Sequence, residues 1–195
     1  MTDFTTRYLG LAEEDTYGNK VTNAGSFLYT DAASIGLDTP STRVLPYMGL
    51  SKAPRSAAAA AYFPEGDLSL PVDGYIFGLI LKWVLGDYRQ VSQTSGQEIY
   101  THTFRGGNTL ASFTALVGKD LFEQAFQGCK INQLTLSVPK EYATATVGIV
   151  AQKDSNNTLQ DEADIEVVRE GYFTFAHTAV TLDGRSGEAE SCEIS

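Results

Sequence analysis

A mainly β fold (α+β), an antiparallel β-sandwich or barrel with one packed helix and a long arm or loop, is what this sequence predicts. Three observations carry that reading. Residues 129–153, CKINQLTLSVPKEYATATVGIVAQK, hold two runs of alternating apolar and polar residues around a polar break, the period of half-buried strands. A single stretch, residues 74–85, spaces its apolar residues as a helix does. The other apolar runs are short and separated by turn residues, which favours an antiparallel sheet over alternating βαβ units.

Residues 1–36 mix single apolar residues with acids and small polar residues and specify little beyond a short helix expected near residues 27–35. Residues 37–66 contain Pro40, Pro46, Pro54 and Pro64 with the small-residue run 56–61. Prolines interrupt any regular element there, and so long an irregular stretch reads as a functional arm or excursion. The arm also carries Val44, Leu45, Tyr47, Met48 and Leu50, together with the bases Arg43, Lys52 and Arg55. Apolar side chains on an arm need cover, from the parent domain or from a neighbouring subunit. Val44, Leu45, Tyr47, Met48, Leu50 and Arg55 are therefore the candidate inter-subunit contacts, with scattered solvated charges the simpler account of the bases.

Residues 67–70 read as a short strand. Pro71 and Asp73 then introduce the helix of residues 74–85, with Asp73 as N-cap and Gly86 as the stop. Ile76, Leu79, Ile80, Trp83 and Val84 form its apolar stripe, Lys82 lies off it, and the stripe is expected to pack on the sheet. Strands follow at residues 98–104 and 111–118 around a turn at 105–108 that contains Gly106 and Gly107.

In the hairpin, Leu134, Leu136 and Val138 share one face and Thr135 and Ser137 the other. Ile131 is one step out of phase with them, which predicts a bulge or bend between Ile131 and Leu134. On the second strand Ala143, Ala145, Val147 and Ile149 oppose Thr144, Thr146 and Gly148, and Pro139, Lys140 and Glu141 make the turn. An acidic loop at 154–164 and strands near 165–168 and 172–181 complete the series. Alternation at 190–195 reaches the last residue, a hint of further chain beyond Ser195. The organisation is an N-terminal segment (1–36), an arm (37–66) and a β-sandwich with flanking helix (67–195), the first and last forming a single main domain.

The net charge of -10, from 24 acids against 14 bases, argues against gripping nucleic acid through phosphate neutralisation. The first residues show no basic segment followed by an apolar one, so no secretory signal is expected, and the longest apolar run is interrupted by Lys82 and is too short for a bilayer. Cys129 and Cys192 do not make a disulfide framework, so a reducing compartment is expected. Neither they nor His102 and His177 have metal-ligand spacing. The stretch 154–165 begins like a calcium loop but has Leu159 where the glycine belongs and Ile165 where the closing glutamate belongs. Asn156-Asn157-Thr158 matches a glycosylation acceptor only by pattern, GRSG at 184–187 is not a nucleophile elbow, and no phosphate-cradling motif is present. No catalytic, cofactor-binding or metal residue is assigned, and no enzymatic role is expected.

The ordered pieces GDLSLPVDGYIFGLILKWVLG, YTHTF, LASFTALVG, FEQAFQGCKINQLTLSV and ATATVGIVAQK, within residues 66–153, together resemble the tail tube (major tail) proteins of long-tailed bacteriophages and related archaeal viruses. The likeness lies in their order and covers a little under half the chain. It implies a tail-tube-like sandwich whose subunits join sheets edge to edge into rings, and rings that stack into the tube through which the genome is delivered. Implied partners are further copies of the chain and other virion tail proteins, with DNA passing without specific binding and with no membrane or cofactor. The implied location is the virion tail, after synthesis in the host cytoplasm. Thr135, Ser137, Thr144 and Thr146 would then line the lumen or meet a neighbour. A monomeric β-sandwich that binds carbohydrate or a surface partner is the competing reading, although Trp83 in the helical stripe looks like core rather than a sugar platform.

Overall fold

The computed structural model describes residues 8–22, 26–29, 43–44, 58–59, 63–92, 100–119, 121–138, 142–159, 173–174, 180–182, 185–187 and 192–194. The fold is organised by one strand, β9 (Phe122–Val138), which is 17 residues long. Its first half pairs with β8 (Phe113–Lys119) on one side and β11 (Lys153–Asn157) on the other. Its second half pairs with β10 (Thr144–Val150) and β14 (Cys192–Ile194). Beyond β8 lie β1 (Tyr8–Glu13) and β2 (Ser26–Tyr29), and beyond β10 lies β5 (Glu65–Pro71). All these ladders are antiparallel, and among the described residues the two layers that β9 joins are not closed into a barrel.

Two bulges let β9 serve both layers. Ala115 pairs with Phe126 and Phe113 with Cys129, so one extra residue sits in β9 near Gly128, whose φ is 63°. Gly148 pairs with Gln133 and Ile149 with Ile131, so a second extra residue, Asn132, follows four positions later. A bulge bends its strand and raises the local twist, which is how a strand turns the corner between packed sheets. The phase slip read between Ile131 and Leu134 is this second bulge; the first left no mark in the alternation because the residues around it are buried on both faces.

The helix α1 (Gly74–Leu85) has the predicted limits and caps. Asp73 Oδ1 accepts from Tyr75 N at 2.9 Å and Ile76 N at 2.7 Å, satisfying donors that the first turn leaves unpaired. Gly86 ends it at φ 85°, and a Cβ there would run into the carbonyl oxygen of Thr109. Ile76, Ile80 and Trp83 are buried among Leu9, Leu11, Leu68, Leu70, Phe113, Phe126, Ile131, Val147 and Ile149, which form the main core. Each such side chain contributes about 2 kcal/mol by leaving water. Trp83 stacks on Phe113 at 4.4 Å and 10°. Its Nε1 donates to Glu13 Oε2 at 3.0 Å, where Lys82 Nζ also ends at 2.6 Å, so the helix is tied to β1 as well as packed on it.

Several expectations are corrected. Residues 27–29, expected to open a short helix, lie in the strand Ser26–Tyr29 on β1, because β1 needs an edge partner and pairing outweighs local preference; residues 30–35 lie outside the described residues. β1 itself was not read, since Tyr8, Leu9, Gly10 and Leu11 are all buried and show no alternation. The segment expected as an acidic loop opens with β11, where cross-strand bonds support its polar side chains: Gln124 Nε2 donates to Asp154 Oδ2 at 2.8 Å and Asn157 Nδ2 to Glu123 Oε1 at 2.8 Å. The turn expected at 105–108 begins later, because β7 (Tyr100–Gly106) continues through Gly106, paired with β6 (Gly86–Ser92). The expected strand at 165–168 and the hairpin turn 139–141 lie outside the described residues. Within 172–181, Thr174 bridges Tyr142, and β12 (Val180–Leu182) pairs with β13 (Arg185–Gly187). On the arm, β3 (Arg43–Val44) pairs with β4 (Ala58–Ala59), so its base folds back on itself.

Candidate assembly surface

The hydroxyl-bearing side chains of the central hairpin meet on one face. Thr144 pairs with Ser137 and Thr146 with Thr135, and paired residues of an antiparallel ladder project to the same side. All four are half-buried. On the next strand Ser69 pairs with Thr146, and their hydroxyl oxygens lie 3.4 Å apart. Exposed Asp67 and Glu65 extend the same face, opposite Gly148 and Val150. Alternation had assigned the two strands' faces; Ser69, Asp67 and Glu65 were missed because no local signal announces that β5 pairs with β10.

The other face of these strands carries Leu134, Leu136, Val138, Ala143 and Ala145, which pack with Val72 and with Phe77 of α1. The layer is thus a four-strand sheet in the order β14, β9, β10, β5, with a hydroxyl face away from the helix. Among the described residues, neither β14 nor β5 has a strand partner on its outer side. Of the arm residues, Val44 lies in β3, opposite Ala58. Leu45, Tyr47, Met48, Leu50 and Arg55 lie outside the described residues.

Several polar and reactive groups among the described residues serve the fold. Buried Glu14 accepts from Gly18 N at 2.9 Å, Ser112 Oγ at 2.8 Å, Thr114 Oγ1 at 2.9 Å and Gly128 N at 2.8 Å. It thereby fastens the turn after β1 to β8 and to the first bulge of β9. Glu123, fully buried, accepts from Tyr8 Oη at 2.8 Å. Cys129 is a buried free thiol, and burial pushes its pKa up to about 12. His102 sits on β7 with Nδ1 2.8 Å from Tyr88 Oη; His177 lies outside the described residues. Trp83 is 1% exposed and is not available as a stacking platform. Among the described residues no three His, Cys, Asp or Glu side chains are grouped to hold a metal ion, and no helix is long and apolar enough to cross a membrane.

No curated protein matches this chain. A family model described as phage tail tube protein matches residues 5–194. A mostly antiparallel sandwich with one packed helix agrees with the fold that the ordered sequence pieces implied, and with nearly the whole chain covered by that match, the chain belongs to the phage tail tube protein family.

Proposed function

We propose that this chain forms the wall of the tail tube by closing into rings through its four-strand sheet, the outer edge of β5 in one subunit joining the β14 edge of the next. The observation that carries the proposal is a sheet whose two edges are open among the described residues, with a hydroxyl face on one side and the core and helix on the other. Unpaired strand edges are a liability in a monomer, and closure into a barrel removes them. The hydroxyl face with Thr135, Ser137, Thr144 and Thr146 then lines the lumen. Glu65 and Asp67 are exposed on that face, against one base, Lys130, across Val150 from Glu65, and a wall with a net negative charge repels phosphate, so DNA passes without adhering.

In this reading rings stack through the arm, with Val44, Leu45, Tyr47, Met48, Leu50 and Arg55 meeting the next subunit or ring. The chain is made in the host cytoplasm and works in the virion tail beside the other tail proteins, delivering the genome without enzymatic chemistry. Negative-stain microscopy of the purified protein tests the proposal. Rings or hollow tubes are the expected result; a protein that stays monomeric at high concentration and binds a defined ligand instead would sink it.

A further inference from the structure

A second surface of assembly character stands apart from the sheet. The ribbon β6–β7 leaves the helix without an intervening loop, since Leu85 ends α1 and Gly86 begins β6. Its base is pinned by the Gly107 N–H, which donates to Leu85 O at 2.6 Å. The register from Gly86 opposite Gly106 to Ser92 opposite Tyr100 sorts the side chains onto two faces. On one, the Tyr88 ring lies 5.3 Å from Phe104 and 5.9 Å from His102, and the Lys82 ammonium sits 5.7 Å over Tyr88, which fastens that face to α1. The other face turns away from the helix, and Asp87, Arg89, Val91, Thr103 and Arg105 line a depression of about 360 Å³ there.

Arg89 and Arg105 are exposed on this face, and among the described residues neither forms an ion pair. Val91 beside them is 41% exposed. Among the described residues β6 and β7 pair only with each other; packing on α1 supports one face of the ribbon, and the opposite face has no such cover among the described residues. Two exposed guanidiniums with no ion pair among the described residues, against the single carboxylate of Asp87 opposite Arg105, leave this face net basic and open to an anionic partner, carboxylate or phosphate, that arginine's planar fork can grip.

We propose that the Arg89–Arg105 face of this ribbon docks on an acidic surface of a second copy of the chain, as a contact distinct from the sheet edges. The inference rests on the tube-wall reading. Charge selects the occupant: with 24 acids against 14 bases, a neighbouring copy presents a predominantly acidic surface, and complementarity sets both register and partner. Duplex DNA would also attract arginine. The net charge of -10 opposes it, and the ribbon is carried by a helix packed on the core side of the sheet, opposite the hydroxyl face that lines the lumen in that reading.

The test combines hydrogen exchange on the wild-type chain, as monomer and as tubes, with assembly of the full-length Arg89→Glu/Arg105→Glu variant. In the wild type the amides of residues 86–92 and 100–106 should exchange more slowly in tubes than in monomer. The variant should keep the wild-type circular dichroism and assemble about tenfold less readily, with the largest deficit at low salt. If the charge reversal prevents folding, the Arg89→Gln/Arg105→Gln variant carries the same expectation, and the exchange arm needs no variant. Tubes from the variant at wild-type yield, with ribbon amides equally exposed in both wild-type states, overturn the docking. Slowed exchange on adding duplex DNA, with none on polymerisation, overturns it in favour of nucleic acid. A wild type that makes no tubes overturns the tube-wall reading itself.

Discussion

Cys129 shows how far a single residue's position decides its chemistry. Its side chain is fully buried in the main core, and loss of hydration raises its pKa to about 12, with a minor contribution from the charge of Glu14. The thiolate is the reactive form, so in the native protein Cys129, followed by mass spectrometry of its own peptide, should resist iodoacetamide through pH 9 and be alkylated rapidly once denatured; equal rates at Cys129 in both states would contradict the burial. The linkage has a definite sign. The folded-state pKa lies above the value of 9.0 that the free thiol has, so the folded state holds its proton more tightly. The associated stability is complete below about pH 9 and is lost as pH rises from there towards 12. Asp73 and Gly86, at the ends of the helix, were legible in the sequence because a cap is a local device. Glu14, by contrast, is bonded to groups on β8 and at the first bulge of β9, and no spacing in the chain announces partners so far away.

Among the elements, β9 is the one on which both layers depend, and its bend rests on Gly128. A Cβ at Gly128 would lie 2.9 Å from Gln152 Cβ and 3.1 Å from Tyr17 Cε2, in a backbone with φ 63°. The left-handed conformation costs a residue with a Cβ about 1–2 kcal/mol before any clash. Gly128→Ala should therefore lower stability by roughly 2–3 kcal/mol, or about 4–12 °C in the melting temperature of a chain this size. Gly106→Ala is the control, because a Cβ there meets nothing within 4 Å. Comparable thermal melts for the two variants would show that β9 does not need its glycine. Strands with one wet face, such as β10, could be read from their alternation. β1 and the first half of β9 could not, because both their faces are buried and the period vanishes.

For the whole molecule, the question is which surfaces remain unsatisfied in the single chain. The arm is separable from the sandwich in sequence, and its base is a two-residue ladder that closes on itself. Removing residues 42–61 should leave a folded subunit with its strand signal in circular dichroism intact, but one that no longer stacks into tubes. Tubes of normal length from that variant would remove the arm as an essential contact. The acidic balance belongs to this scale too. Composition showed that the chain is acidic, while the structure shows that Glu65 and Asp67 share the face of the hydroxyl ladder.

By itself the sequence determined what is local: the α1 stripe and its two caps, the alternation of β10 and of the second half of β9, the Asn132 bulge as a phase slip, and the ordered pattern that resembles tail tube proteins. These survive in one dimension because each depends on residues within about a turn of helix or a few positions of strand. Only the tertiary structure decided which strands pair, that β9 joins both layers, that the polar segment after Lys153 is a strand, and that Ser69 joins the threonines of β9 and β10. Pairing between distant strands is set by the burial and hydrogen bonding of edges that meet only after the chain has folded, and residue type along the chain does not encode which edge will be free.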